Sequence, residues 1–258
     1  MPKRPVNFKE IAKNMKSDLR IFPDPEALNH AAAEAFLQLA NNAIKKQNRF
    51  TVALTGGNTP RGIYQLLATD YRERIPWAQI YLFWGDERYV PEDNPNSNYR
   101  MVRESLLDHV PIPAENIQRM PTEFVKLDDA AQNYEQTLYN FWNASLPRFD
   151  LIQLGMGPDG HIVSLFPHSP LLQEEKRLVA AVTDSPKPPP IRLTLTLPVI
   201  NHAAQIHFYV AGSEKAEALR STLQNPRDLQ KFPAQAVQPE NGEVIWWVDK
   251  KAASLLEK

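Results

Sequence analysis

The sequence predicts an α/β fold, a mainly parallel sheet covered by helices, and three observations carry that prediction. Short apolar runs alternate with helix-period segments along the chain, the pattern of successive βαβ units. The runs are almost continuously apolar, as strands buried on both faces are. Seven of the nine glycines (Gly56, Gly57, Gly85, Gly155, Gly157, Gly160 and Gly212) fall just after such runs. Loops at the carboxyl ends of parallel strands line the ligand crevice of such a sheet, and glycine lets backbone come close there.

In chain order, Leu19-Arg-Ile-Phe22 reads as the first strand. Asp24-Pro25 then supplies an N-cap and an N1 proline for a helix to about Lys46, with Leu28, Ala31, Ala32, Ala35 and Leu39 as its core face. Phe50 to Leu54, Gln79 to Phe83, Phe149 to Leu154 and Gln205 to Val210 read as buried strands, and helices are expected from about Pro60, Ser97, Leu127 and Ser213. Ser185-Pro-Lys-Pro-Pro-Pro190 is too short for a domain linker and too stiff for a flexible one. It reads as an extended loop within one domain over 1–258.

Composition narrows the function. A chain of 258 residues, 43% hydrophobic, can bury a full core. Its net charge of −1 argues against a general nucleic-acid or membrane-surface binder but leaves a local basic pocket open. The absence of cysteine excludes disulfides, thiol nucleophiles and thiolate metal sites. The first ten residues carry no apolar signal core, and no run of 18 apolar residues occurs, so a cytoplasmic protein is expected. There is no Gly-x-Ser-x-Gly and no His-Glu-x-x-His, and the six histidines have no metal-site spacing, so no metal is expected. His30 and His109 read as structural residues on helix faces, His202 and His207 as loop and strand residues.

Four strand-end loops hold the chemistry. Gly155-Met-Gly-Pro-Asp-Gly160 spells a literal G-x-G-x-x-G. A dinucleotide fingerprint needs a long helix starting inside it, whereas Pro158 interrupts the motif and Pro167 and Pro170 end any helix within about two turns. What remains is a tight turn, built on residues such as Gly157, that presents Asp159 and His161. Imidazole, with an ordinary pKa of about 6.5, suits a general base; the alternative is a turn whose histidine is merely packed or solvated. Thr55-Gly-Gly-Asn-Thr-Pro-Arg61 reads as an anion site in which Gly56 and Gly57 allow close approach, Asn58 or Thr59 caps, and Pro60 sits at N1. Without the Gly-Lys-Ser/Thr of a P-loop, it fits a sugar phosphate better than a triphosphate; the alternative is a capped turn with no ligand. Asp86-Glu-Arg88 is either a surface ion-pair cluster or places Arg88 to grip a phosphate or carboxylate. Ser213 is an expected N-cap that puts Lys215 in a first turn, where a bound anion would relieve the clash with the helix dipole.

Taken together, Leu54-Thr-Gly-Gly-Asn-Thr-Pro60, Asp86-Glu-Arg-Tyr-Val-Pro91 with Ser97-Asn-Tyr99, Leu154-Gly-Met-Gly-Pro-Asp-Gly-His161 with Ser164-Leu-Phe-Pro167, Arg192-Leu-Thr-Leu-Thr196 and Gly212-Ser-Glu-Lys-Ala216 resemble the 6-phosphogluconolactonase family, in order and over nearly the whole chain. Trp246-Trp-Val-Asp249 is similar to that family's C-terminal segment. The resemblance implies the fold shared with glucosamine-6-phosphate deaminases and ribose-5-phosphate isomerases, a Rossmann-like sheet with a small additional β region. It also implies hydrolysis of 6-phosphoglucono-1,5-lactone, the second step of the oxidative pentose phosphate pathway, without metal or organic cofactor. In that reaction His161 would be the base, and Asp159 would orient it or fix the turn. Residues 56–59 with Arg88, and Lys215 or Arg192, would hold the phosphate, and glycine-loop N–H groups would hold the oxyanion. The rival within the same fold is the deaminase, which carries Asp-Glu-Tyr and Ala-Phe-Asn-Glu-Pro where this chain has Asp86-Glu-Arg88 and Ser164-Leu-Phe-Pro167. Departures from the lactonase pattern are Thr55 for Ser, Ile162-Val163 for Thr-Ala and His168 for Gly. Two further readings, a non-catalytic sugar-phosphate binder and an oligomeric scaffold, remain on the table, and the oligomeric state stays open between monomer and homodimer.

Overall fold

The computed structural model describes residues 17–144 and 146–257; the reading of the first ten residues lies outside them. The strands of the main sheet are β1 (Ser17–Phe22), β2 (Phe50–Leu54), β3 (Ile80–Trp84), β5 (Ile117–Gln118), β6 (Leu151–Gly155), β9 (Gln205–Val210) and β10 (Glu243–Asp249). They lie in the order β1-β10-β9-β6-β2-β3-β5, and every neighbouring pair is parallel. From β2 the chain builds outward through β3 to β5, then returns to place β6 on the other side of β2 and continues to β9 and β10. The order therefore reverses between β2 and β6, and there the connecting loops part to leave a crevice beyond the carboxyl ends of the strands.

The helices α1 (Pro25–Gln47), α2 (Asn58–Ala68), α3 (Asn98–Ser105), α4 (Leu127–Trp142), α5 (Leu197–Asn201) and α6 (Ala216–Gln224) connect these strands. Asp24 caps α1, accepting the Ala27 N–H at 2.9 Å, as its position before Pro25 predicts. The buried stripe of α1 is Leu28, Ala32, Ala33, Phe36, Leu37 and Ala40, rotated from the expected face so that Ala31, Ala35 and Leu39 flank it. Phe36 sets that rotation, since its ring meets Phe50 of β2 edge-on at 5.3 Å. Beneath β3, the Phe83 ring packs against Phe141, Trp142 and Phe149 at 5.1 to 5.2 Å. Burial of each such ring is worth about 2 to 3 kcal/mol.

A second, antiparallel sheet orders β4 (Asp86–Arg88), β8 (Arg192–Leu195) and β7 (Val179–Val182). Gly85 is the junction: its N–H reaches Leu54 of β2 at 2.8 Å, and its carbonyl accepts the Leu195 N–H of the small sheet at 2.8 Å. The small sheet is thereby set against the crevice. Among the described residues no helix is long and apolar enough to cross a membrane.

Candidate active site

Beyond β2 the chain turns through Gly56 and Gly57 into α2. Gly57 has φ 106°, a positive value that glycine alone adopts at little cost, and it is the N-cap. Asn58 and Thr59 are therefore N1 and N2, and neither side chain caps, contrary to the sequence expectation; Pro60 sits at N3 instead of N1. Among the described residues the backbone N–H groups of 56–59 have no protein acceptor. Donors without an acceptor at the positive end of an eleven-residue helix favour an anion. Gly56 has a second reason to be glycine, since a Cβ there would lie 2.0 Å from Asn98 Oδ1.

Beyond β6, Gly155 to Gly160 forms a turn with no helix inside it, as Pro158 predicts. The Gly157 N–H donates to the His161 carbonyl at 2.9 Å and the Gly160 N–H to the Gly157 carbonyl at 3.0 Å. Those two glycine-loop donors close the turn and are not free for an oxyanion. Asp159 Oδ1 lies 2.6 Å from His161 Nδ1. The carboxylate thus sits behind the ring, and among the described residues Nε2 has no hydrogen-bond partner; the ring lies against Phe166 at 4.5 Å with the planes tilted by 34°. A Cβ on Gly157 would fall 2.0 Å from Nδ1 and 2.3 Å from Asp159 Oδ1, so this glycine makes room for the pair.

Cations close the crevice from three elements. Arg88, on β4, donates Nη1 to the Asn96 carbonyl at 2.8 Å, while its Nε is buried with no partner among the described residues. Asp86 and Glu87 are buried and do not form the surface ion-pair cluster that charged triplets usually make. Asp86 accepts from Ser164 Oγ at 2.7 Å and from Asn98, and Glu87 accepts the Asn98 and Tyr99 N–H groups at 2.7 Å at the start of α3. Burial pushes the Glu87 carboxyl up to about 7 against those N–H bonds. Arg192, on β8, spends Nε and Nη2 on the carbonyls of Pro189 and Lys187 at 3.0 and 2.9 Å, which leaves Nη1 without a hydrogen bond among the described residues. Lys215 is the N-cap of α6, and Gly212, not Ser213, leads the preceding 3-10 turn. Burial, then the neighbouring Lys187, lowers the Lys215 ammonium, with Glu214 opposing.

Lys187 is the residue that sequence reading missed. It rides on the Pro-rich loop and brings Nζ to 3.1 Å from Asp159 Oδ1 and 3.3 Å from His161 Nδ1. Its only sequence signal is a lysine inside a stiff loop just before Arg192. Burial raises the Asp159 carboxyl, but the hydrogen bonds and charges of His161 and Lys187 outweigh it and hold the group well below the usual carboxylate range.

These loops enclose a cleft of about 250 Å3. Gly56, Gly57, Asn58, Thr59, Gly157, His161, Arg88, Arg192 and Lys215 all line it, and Asp159 stands behind His161. Tyr209, which lines the cleft, belongs to a buried network in which the Tyr64 hydroxyl donates to Gln153 Oε1 at 2.8 Å and Gln153 Nε2 reaches the Tyr209 hydroxyl at 3.4 Å; burial pushes both phenols up, so both stay neutral. No three His, Asp or Glu side chains converge as a metal site requires among the described residues. The arrangement gathers an imidazole whose Nε2 has no partner among the described residues, backbone N–H groups without acceptors and four cationic side chains in one cleft.

Known proteins resemble this chain in sequence and in fold. The family model described as glucosamine-6-phosphate isomerases/6-phosphogluconolactonase matches residues 23–246. A 6-phosphogluconolactonase of Nostoc sp. is 40% identical over 245 residues, covering 94% of this chain and 99% of that one. The solved 6-phosphogluconolactonase of Trypanosoma brucei superposes with a TM-score of 0.84 at 27% identity, over 94% of this chain and all of that one. A monomeric glucosamine-6-phosphate deaminase shares the fold, with a TM-score of 0.78 at 24% identity over 92% of this chain and 99% of its own. The chain belongs to the glucosamine-6-phosphate isomerase/6-phosphogluconolactonase family.

Proposed function

We propose that this chain, as one α/β domain over 1–258 acting in the cytoplasm, hydrolyses 6-phosphoglucono-1,5-lactone to 6-phosphogluconate. The observation that carries the reading is the Asp159–His161 pair, with Nε2 unpartnered, across a small cleft from the unpaired N–H groups of 56–59 and Arg88. The dianionic phosphate sits on those N–H groups and Arg88, with Lys215 completing the pocket, and this fixes the ring. His161 Nε2 takes a proton from water as its oxygen attacks C1. The negative charge passes to the carbonyl oxygen, where Arg192, whose Nη1 makes no hydrogen bond among the described residues, is the donor from the cleft lining. Collapse breaks the bond from C1 to the ring oxygen, which takes the proton back from Nε2 and leaves as the C5 hydroxyl; the new acid ionises to carboxylate. The lactonase is favoured over the deaminase by Arg88 and Ser164, which the fold commits to the cleft and to Asp86.

The test is consumption of freshly generated lactone above its spontaneous hydrolysis, with glucosamine 6-phosphate as the competing substrate. The wild-type chain should accelerate lactone loss and release no ammonia from the amino sugar. His161→Ala should lower turnover about 10^2- to 10^4-fold with phosphate-ligand binding retained. Arg88→Ala should chiefly raise KM, by about tenfold or more for a lost charge-assisted contact. Ammonia release, or the reverse pattern in the two variants, would overturn the assignment.

A further inference from the structure

Asp159 Oδ1 serves two donors. His161 Nδ1 approaches it at 2.6 Å and Lys187 Nζ at 3.1 Å, and the two nitrogens lie 3.3 Å from each other. A bare Nδ1 lone pair facing a carboxylate at that distance would be repulsive, so Nδ1 carries the proton and Nε2 carries the lone pair. A carboxylate alone behind a histidine favours the imidazolium, the form unable to accept a proton. The ammonium has the opposite effect, since it shares the oxygen and stands beside the ring.

We propose that Lys187 is a positioning residue which, by holding its ammonium on the Asp159 oxygen that His161 also uses, keeps the imidazole in its proton-accepting form until substrate anions draw the lysine away. This rests on the reading of His161 as the base. The lysine is not a freely swinging surface residue. Its carbonyl accepts from Ser185 Oγ at 2.8 Å and from Arg192 Nη2 at 2.9 Å, and Arg192 Nε ties down Pro189 two residues on. The Arg192 guanidinium in turn lies over the Phe166 ring, against which the His161 ring also packs. One buried arginine thus sets the height of both the lysine loop and the imidazole.

The other charged groups facing His161 leave Lys187 as its only close ammonium among the described residues. Arg88, Arg192 and Lys215 line the same cleft without a hydrogen bond to the ring, Lys215 near enough to Lys187 and Asp159 to feel both charges, and Asp86 is already bonded to Ser164 and Asn98. An incoming phosphate or a developing oxyanion competes for the ammonium. Once Lys187 leaves, Asp159 supports the imidazolium that forms as water is deprotonated. Removal of a proton and its storage on Nε2 are thereby favoured at different moments by the same three side chains.

The experiment is an NMR titration of the His161 ring nitrogens in the full chain, run on wild type, Lys187→Met and Lys187→Arg, with the pH profile of kcat/KM measured alongside. Lys187→Met should titrate His161 about one pH unit or more higher than wild type, a tenfold gain in proton affinity. Its kcat/KM at neutral pH should fall and recover as pH rises. Lys187→Arg, which keeps the charge, should stay close to wild type in both readouts. A His161 titration unmoved in Lys187→Met, with the remaining histidine signals unchanged, would overturn the proposal. The ring titration does not depend on turnover, so it separates this failure from that of His161 as base, which shows instead as full activity in His161→Ala.

Discussion

Val163 and His168 sit on either side of the Ser164–Phe166 segment with φ of 41° and 63°, the left-handed region that side chains avoid. They are two of the positions at which the sequence departs from the lactonase pattern, in which Ala and Gly are common. The left-handed backbone explains the preference: a small residue suffers least there. His168 is exposed, and its N–H holds the Gln230 carbonyl at 2.8 Å. His168→Gly should therefore keep that bond and stabilise the protein by about 0.5 to 1 kcal/mol, read from urea unfolding. A loss of stability would mean that the imidazole makes contacts worth more than the backbone strain.

The loops that follow β2 and β6 rely on glycines where a strand hands over to a turn. The turn after β6 shows it most directly, because the Asp159–His161 pair occupies the space a Gly157 side chain would fill. Gly157→Ala should displace the imidazole and lower turnover by about 10^2-fold or more. Global stability should change far less, because the turn lies at the cleft and not in the core. Steady-state kinetics beside thermal unfolding would separate the two; intact turnover would show that the turn can relax without moving the base. The Pro-rich loop works differently, since it has no glycine and is held from outside by Ser185 and Arg192. Stiffness plus anchoring gives a lysine a fixed place that a flexible loop would not.

The molecule as a whole also carries a buried group that couples its folding to pH. His207 on β9 is 1% exposed, and neither ring nitrogen has a partner among the described residues. Burial first, and Arg20 second, push its pKa down to about 3, so the folded chain keeps it neutral. In the unfolded chain an ordinary imidazole takes up a proton near pH 6.5. The stability is thus fully present above that pH and is lost as pH falls from about 6.5 toward about 3. Between pH 7.5 and 5 this one group should cost about 2 kcal/mol of unfolding free energy, and His207→Phe should remove that part of the slope. Urea unfolding of both proteins at the two pH values checks it, and parallel pH dependence would assign the acid lability elsewhere.

The sequence by itself determined the class of fold, because strand hydrophobicity and helix caps are local properties that Phe50 to Leu54 or Asp24-Pro25 display without help from distant residues. It also determined which loops matter, since scarce glycines at strand ends mark close approach whatever the strand order. Other elements were not legible. β4, β5, β7 and β8, of two to four residues each, were not predicted, since a strand that short is recognisable only when its partner is beside it, and the longer β10 was not read as a strand although its run from Val244 to Val248 is apolar. Tertiary structure alone decided that Asp86 and Glu87 are buried under Asn98 and Ser164 and not paired at the surface, and that Gly57, not Asn58, heads α2. It alone placed Lys187 at the Asp159–His161 pair, across 26 residues of chain. A side chain's neighbours at that separation depend on how the strands cross over, and crossover order is not written in local pattern.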